Sequence, residues 1–205
     1  MMLVEPKDYI ENYADLREII AQCRQHFDEN RLAQFAVQPV VYDDDPEHTF
    51  DEHNHHRIRL LLALATEFNE SDKPLIRWLL RENGKCFKFG FDISIETALA
   101  AFMLYKHMCW EDTAILYACK FAYGSNEQYM VDTEIALGFG LSETMNYLAK
   151  QSDNPIYQEM IYQIQAYCGN GIRLKLREQF IEYFEQRRFG YLQEELARDY
   201  GLIDD

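Results

Sequence analysis

Glycine and proline are scarce in this chain, 9 and 5 among 205 residues. So few turn-formers cannot supply the many short strands and tight turns of an all-β fold, and they leave little room for long loops. Long apolar runs are missing too. The longest, Ala98 to Tyr105, falls well short of the roughly 20 residues a bilayer-spanning helix needs, so no membrane span is expected. The opening residues, Met1 to Tyr9, have neither a basic start nor an apolar stretch, and no secretory signal is read there. No two cysteines have C-x-x-C spacing, and their number is odd. Cys23, Cys86, Cys109, Cys119 and Cys168 are therefore read as reduced thiols, mostly in the core, which leads to the expectation of a cytoplasmic protein. A glycine-rich phosphate loop and a G-x-S-x-G nucleophile elbow are both lacking.

Basic residues are also few. Twenty Lys and Arg stand against 35 Asp and Glu, a net charge of −15. Phosphate and anionic lipid are repelled by such a surface, so neither nucleic acid nor a membrane is the expected partner; a basic protein is. The charge is uneven: residues 1–56 hold 13 acids against 4 bases, residues 57–91 hold 7 bases against 4 acids, and residues 92–170 hold 10 acids against 3 bases.

What the chain does have is helical periodicity. Tyr9, Tyr13, Leu16, Ile20, Cys23 and Phe27 recur three and four apart and predict a first helix that Pro6 can open. Residues 38–50, with Pro39, Asp43 to Asp45 and Pro46, read as a loop. Thr49-x-x-Glu52 matches a capping box and predicts a helix from Thr49 that buries Ile58, Leu61, Leu62, Ala65 and Phe68. The next helix follows Asp72-Lys73-Pro74 and is expected to stop at Asn83-Gly84. Phe87, Phe89 and Phe91 alternate, as in an extended connector whose rings plug the core. Helices are then predicted at about 95–108, 111–122, 126–139, 142–151, 155–168 and 172–187, with a last one to Tyr200. The fold class is all-α, either an α-α superhelix of helical hairpins or an irregular bundle. One domain is expected over 1–205, with N-terminal helices in 1–83 and a repeat-like half in 92–205.

Within that half, Glu111 to Ala114 aligns with Ser142 to Met145 at an offset of 31, a repeat length typical of helix-pair solenoids. The stretch from Ala136-Leu137-Gly138-Phe139-Gly140 to Tyr147-Leu148 resembles the inter-helix segment of an ankyrin repeat, and Thr97-Ala98-Leu99 resembles its opening triplet. The resemblance covers residues 95–151, about a quarter of the chain. It departs from the family in period and lacks the Thr-Pro-Leu-His signature. It implies stacked helix pairs used for protein binding and carries over no functional residue.

One segment has ligand chemistry in its composition. Asp43, Asp44, Asp45, Glu47, Asp51 and Glu52 mix with His48, His53, His55 and His56 inside residues 43–56. On a helix, His48, Asp51 and His55 would share a face, as would Glu52 and His56, and such donors suit zinc, manganese or iron. No established motif is present, so the segment is read as a solvated acidic helix start, with a metal-dependent hydrolase as the alternative reading. Asp43-Asp44-x-x-Glu47 also matches the acidic motif of terpenoid synthases, and Glu67-x-x-Glu70 half of that of helical nucleotide pyrophosphohydrolases; both are read as surface charge. His107 and Cys109 cannot face one another across a helix, so no catalytic dyad is expected. No catalytic, cofactor or metal residue is assigned.

Aromatic residues make up 14% of the chain, with 14 Tyr. Tyr117, Tyr123, Tyr129, Tyr147, Tyr157, Tyr162 and Tyr167 recur through the repeat-like half, and tyrosine suits interfaces because it buries much area at little entropy cost. The expected function is a non-catalytic protein-binding module: an adaptor, inhibitor or immunity-type protein. Its acidic, Tyr-rich face, with Asp132, Glu134 and Glu143 acting together, would meet a basic partner.

Overall fold

The computed structural model describes residues 5–42, 45–122, 125–151, 153–169, 171 and 174–204, and among them it is an all-α fold with one small β-hairpin. A 3-10 turn at Pro6–Asp8 precedes α1 (Tyr13–Gln25), and a second at Glu29–Phe35 leads to the hairpin strands β1 (Pro39–Tyr42) and β2 (Asp45–Asp51). The helices α2 (Asn54–Ala65), α3 (Lys73–Lys88), α4 (Ser94–His107) and α5 (Thr113–Phe121) follow. Next come the short α6 (Ser125–Met130) and α7 (Thr133–Ala136), then α8 (Leu141–Ala149) and α9 (Pro155–Cys168). The C-terminal part is one continuous helix in three pieces: α10 (Arg177–Phe184), a π-helical turn at Glu185–Phe189, and α11 (Gly190–Asp199).

The helices α1, α3 and α5 lie side by side, α2 and α4 pack behind them, and α11 closes over the far side of α2 and α4. This explains why α2 and α4 are apolar around most of their circumference. Ile58 and Leu60 to Ala65 are buried on α2, as are Thr97 to Tyr105 on α4. The main core runs from Ile10 to Ala197, and a smaller one joins Tyr117, Leu137, Leu148, Met160 and Ile164 beneath α8 and α9. No described helix is long and apolar enough to cross a membrane.

One device recurs at two places in the stack. Asn69 and Asp72 form a capping box around the 3-10 turn that starts α3; Cys109 and Asp112 do the same before α5. Each aspartate is buried and held by two nitrogens, Nε and one Nη, of an arginine from the preceding helix of the same layer. Arg24 of α1 reaches Asp72 at 2.7 and 3.0 Å, and Arg77 of α3 reaches Asp112 at 2.6 and 3.1 Å.

Several expectations need correction. The supposed loop at 38–50 is the hairpin, with Pro39 opposite Asp51 and Val40 opposite Phe50; a two-stranded sheet is all edge, where a missing proline N–H is tolerated. Thr49 lies in β2, so its capping-box match marks no helix start, and α2 begins at Asn54. Pro6 opens a separate 3-10 turn, while α1 starts after Asn12 in the left-handed region. Asn83-Gly84 does not stop α3. The Asn83 amide is buried and donates to Thr97 Oγ1 at 3.1 Å, and the helix runs on until Gly90, at φ +78°, closes it with the amides of Gly90 and Phe91 bonded back to Phe87 and Cys86. The rings of Phe87 and Phe89 are not core plugs; Phe89 is 49% exposed. The helix predicted at 126–139 breaks between α6 and α7, where Arg188 takes the Met130 carbonyl and Lys120 the Val131 carbonyl.

Candidate functional site

A cleft of about 570 Å³ opens between the end of α4, the start of α5, the α7–α8 turn and the start of α10. Its floor is aromatic. Trp110 stacks on Tyr147 at 4.7 Å and meets Phe139 at 4.1 Å. The turn that carries Phe139 depends on two glycines. Gly138 has φ +60° and Gly140 φ +117°, and a Cβ on Gly138 would lie 2.9 Å from Met108 Cε. The segment is therefore pressed against the core with Phe139 turned to the cleft.

Arg177, the first residue of α10, fixes the opposite wall. Its guanidinium donates to the carbonyls of Tyr105 at 2.8 Å and Lys106 at 3.2 Å in the last turn of α4, where the Met108 amide also reaches Tyr105 at 3.4 Å, and lies over the rings of Tyr105 and Phe139. Burial raises the Tyr105 phenol, and Glu134 and Glu178 raise it further against the opposing pull of Arg177, so it stays neutral. The mouth carries Leu141, 37% exposed, and Leu176, 68% exposed. Glu134, Glu143 and Glu178 stand around it, with Lys175 within 4.0 Å of Glu134 and over the Tyr183 ring. The described lining combines aromatic rings and leucines with three glutamates, chemistry that suits an apolar group beside a cation.

The 43–56 segment is dispersed. Asp51 turns inward to Arg57 at 2.6 Å and accepts the amides of Gln38 and His53. Burial pushes its carboxyl up, but those amides and the guanidinium outweigh that, and it ends below the usual carboxylate range. The His53 ring bonds the Ala36 carbonyl at 2.9 Å and stacks on His56, while His55 leans on Tyr200. Asp43 and Asp44, and the side chains of Asp45, Glu47 and His48, lie outside the described residues. Among the described residues, no three His, Cys, Asp or Glu side chains gather where they could hold a metal ion. Glu67 pairs with Arg17 and Arg24, and Glu70 with Lys73. The His107 ring meets Phe68 edge-on, whereas Cys109 bonds Asp112 and Arg77.

The three acids expected to act together do not stand alike. Asp132 is half-buried in an ion pair with Arg188, and burial holds its carboxyl above the usual range, so it is no rim charge. Glu134 and Glu143 do border the cleft. Of the tyrosines, Tyr117 is in the smaller core and Tyr147 lies under Trp110, while Tyr129 and Tyr162 are exposed; Tyr123 falls outside the described residues. Trp110, Arg177, Leu141 and Leu176 escaped the sequence reading. They sit in three separate helix starts, and only the fold brings them together. No protein-family model matches the chain, and no curated protein or solved structure resembles it beyond the level expected by chance.

Proposed function

We propose that this protein is a non-catalytic interaction module that receives a basic segment of a partner protein in the cleft between Trp110 and Leu176. The observation that carries the proposal is the pairing of an aromatic floor and two exposed leucines with a glutamate rim, in a chain of net charge −15. An apolar side chain of the partner would enter against Trp110 and Phe139, and a neighbouring Lys or Arg would face Glu143 and Glu178. The ankyrin-like resemblance of residues 95–151 belongs to the same proposal, and Gly138 and Gly140 at a helix-to-helix turn support it.

The test is affinity isolation from the native host with wild type, Leu176→Asp and Leu141→Asp. Both leucines are exposed, so each variant should keep its stability within about 0.5 kcal/mol. A basic protein retained by wild type and lost from both variants is the expected result. Equal retention by all three would place binding elsewhere on the molecule.

A further inference from the structure

We propose that Glu96 is a proton-operated latch that holds the C-terminal helix against the inner layer of the fold. The inference is independent of the cleft and rests on a buried chain of polar groups. Glu96, in the first turn of α4, is only 6% exposed, and its Oε1 accepts the hydroxyl of Tyr200 at 3.0 Å. The Tyr200 oxygen in turn accepts the Asn54 side-chain amide of α2 at 2.5 Å. Tyr200 directly follows α11, so this chain ties the far end of the C-terminal helix to α2 and α4 together.

The rest of that helix is fastened by rings. Phe180 meets Tyr105 at 5.6 Å, and Phe184 stacks on Phe102 at 4.0 Å, with Phe189 touching the same Phe102 at 5.5 Å. As the chain advances along the C-terminal helix the partners retreat along α4, from Tyr105 through Phe102 to Glu96, so the two run antiparallel. In a plain α-helix, residues five apart point about 140° apart; the wider π-helical turn at Glu185–Phe189 lets Phe184 and Phe189 both face α4. Rings hold one end of this helix, and a carboxyl holds the other.

The charged and titratable groups around that carboxyl come from α2, α3, the segment before α4 and Tyr200. Arg57 of α2 lies close enough to favour the carboxylate but is spent on Asp51, on the Cys86 sulfur and on the Phe35 carbonyl. Asp92, before α4, disfavours it. The Cys86 thiol of α3 is pushed up to about 12, chiefly by burial, and so is neutral; His55, against Tyr200, is lowered by burial and by Arg59. Burial, first, and Asp92 push Glu96 up to about 7, against the opposing pulls of a backbone amide, Tyr200 and Arg57.

An undocked helix would return Glu96 to water and to its ordinary value of 4.5. Between 4.5 and about 7 the docked state therefore binds an extra proton, so acid tightens the latch and rising pH loosens it, by at most about 300-fold. Hydrogen exchange from pH 5 to 8, corrected for intrinsic rates, tests this on wild type, Glu96→Gln and Tyr200→Phe. In wild type, protection of Gly190–Asp199 should fall at least about tenfold relative to Lys73–Lys88. Glu96→Gln, which keeps an acceptor for Tyr200, should abolish that fall. Tyr200→Phe removes a donor that favours the carboxylate and should move the midpoint to higher pH. The same slope in Glu96→Gln as in wild type, or an equal slope in both helices, would overturn the latch.

Discussion

Arg77 and Asp112 show how a buried charge is kept without becoming a liability. The aspartate is closed off from water, yet it accepts two arginine donors, the Cys109 amide and the Cys109 thiol. Removing one partner strands the other, so Arg77→Ala should cost about 3 kcal/mol in urea unfolding, whereas replacing Lys73, whose pair with Glu70 is at the surface, should cost less than about 1 kcal/mol. Titration follows from the same geometry. Burial pushes the Asp112 carboxyl up, but Arg77 and the Cys109 amide hold it below its ordinary value. Its stabilising contribution is thus present above the unfolded value and lost as pH falls through the folded one. In acid denaturation followed by circular dichroism, Asp112→Asn should be less stable than wild type at neutral pH, with the gap closing below about pH 4. A gap that stayed constant with pH would mean that the charge of Asp112 contributes nothing.

The helical elements were largely legible in the sequence, because a strong 3.6-residue pattern survives any tertiary context; α9 lies where its periodicity and the Asn154-Pro155 start put it. Boundaries fared worse wherever a distant group decided them. Nothing local to Asn83-Gly84 shows that Thr97 will bind Asn83 and carry α3 onward, and nothing in residues 126–139 shows that Lys120 and Arg188 will take the carbonyls that part α6 from α7. The hairpin was missed because its prolines oppose a sheet interior but not an edge. The α7–α8 turn is the element on which the cleft depends. Gly138→Ala would combine a left-handed backbone with a contact at 2.9 Å, and it should destabilise by about 1–3 kcal/mol. Gly201→Ala also strains a left-handed φ but meets no neighbour, and its cost in thermal unfolding should be the smaller of the two. Equal costs would show that the Met108 contact does not matter.

At the scale of the molecule, acidity and the cleft belong to one account. The whole-chain charge was plain in the composition. Which acids border the cleft was not, because Asp132 is spent on Arg188 while Glu143 and Glu178 stand at the cleft mouth. Exposed acids of this kind contribute little singly, about 0–1 kcal/mol each, but together they accelerate encounter with a positive surface, and ions in solution screen that effect over about 10 Å. Apolar anchoring at Trp110 and Leu176 would instead govern how long a complex lasts. The most direct measurement is the association rate of the captured partner across ionic strength, for wild type and for Glu143→Gln combined with Glu178→Gln. The account predicts a wild-type rate that falls steeply with salt and a double variant that is slower at low salt and flatter across the range. A rate indifferent to salt, and unchanged in the double variant, would contradict it.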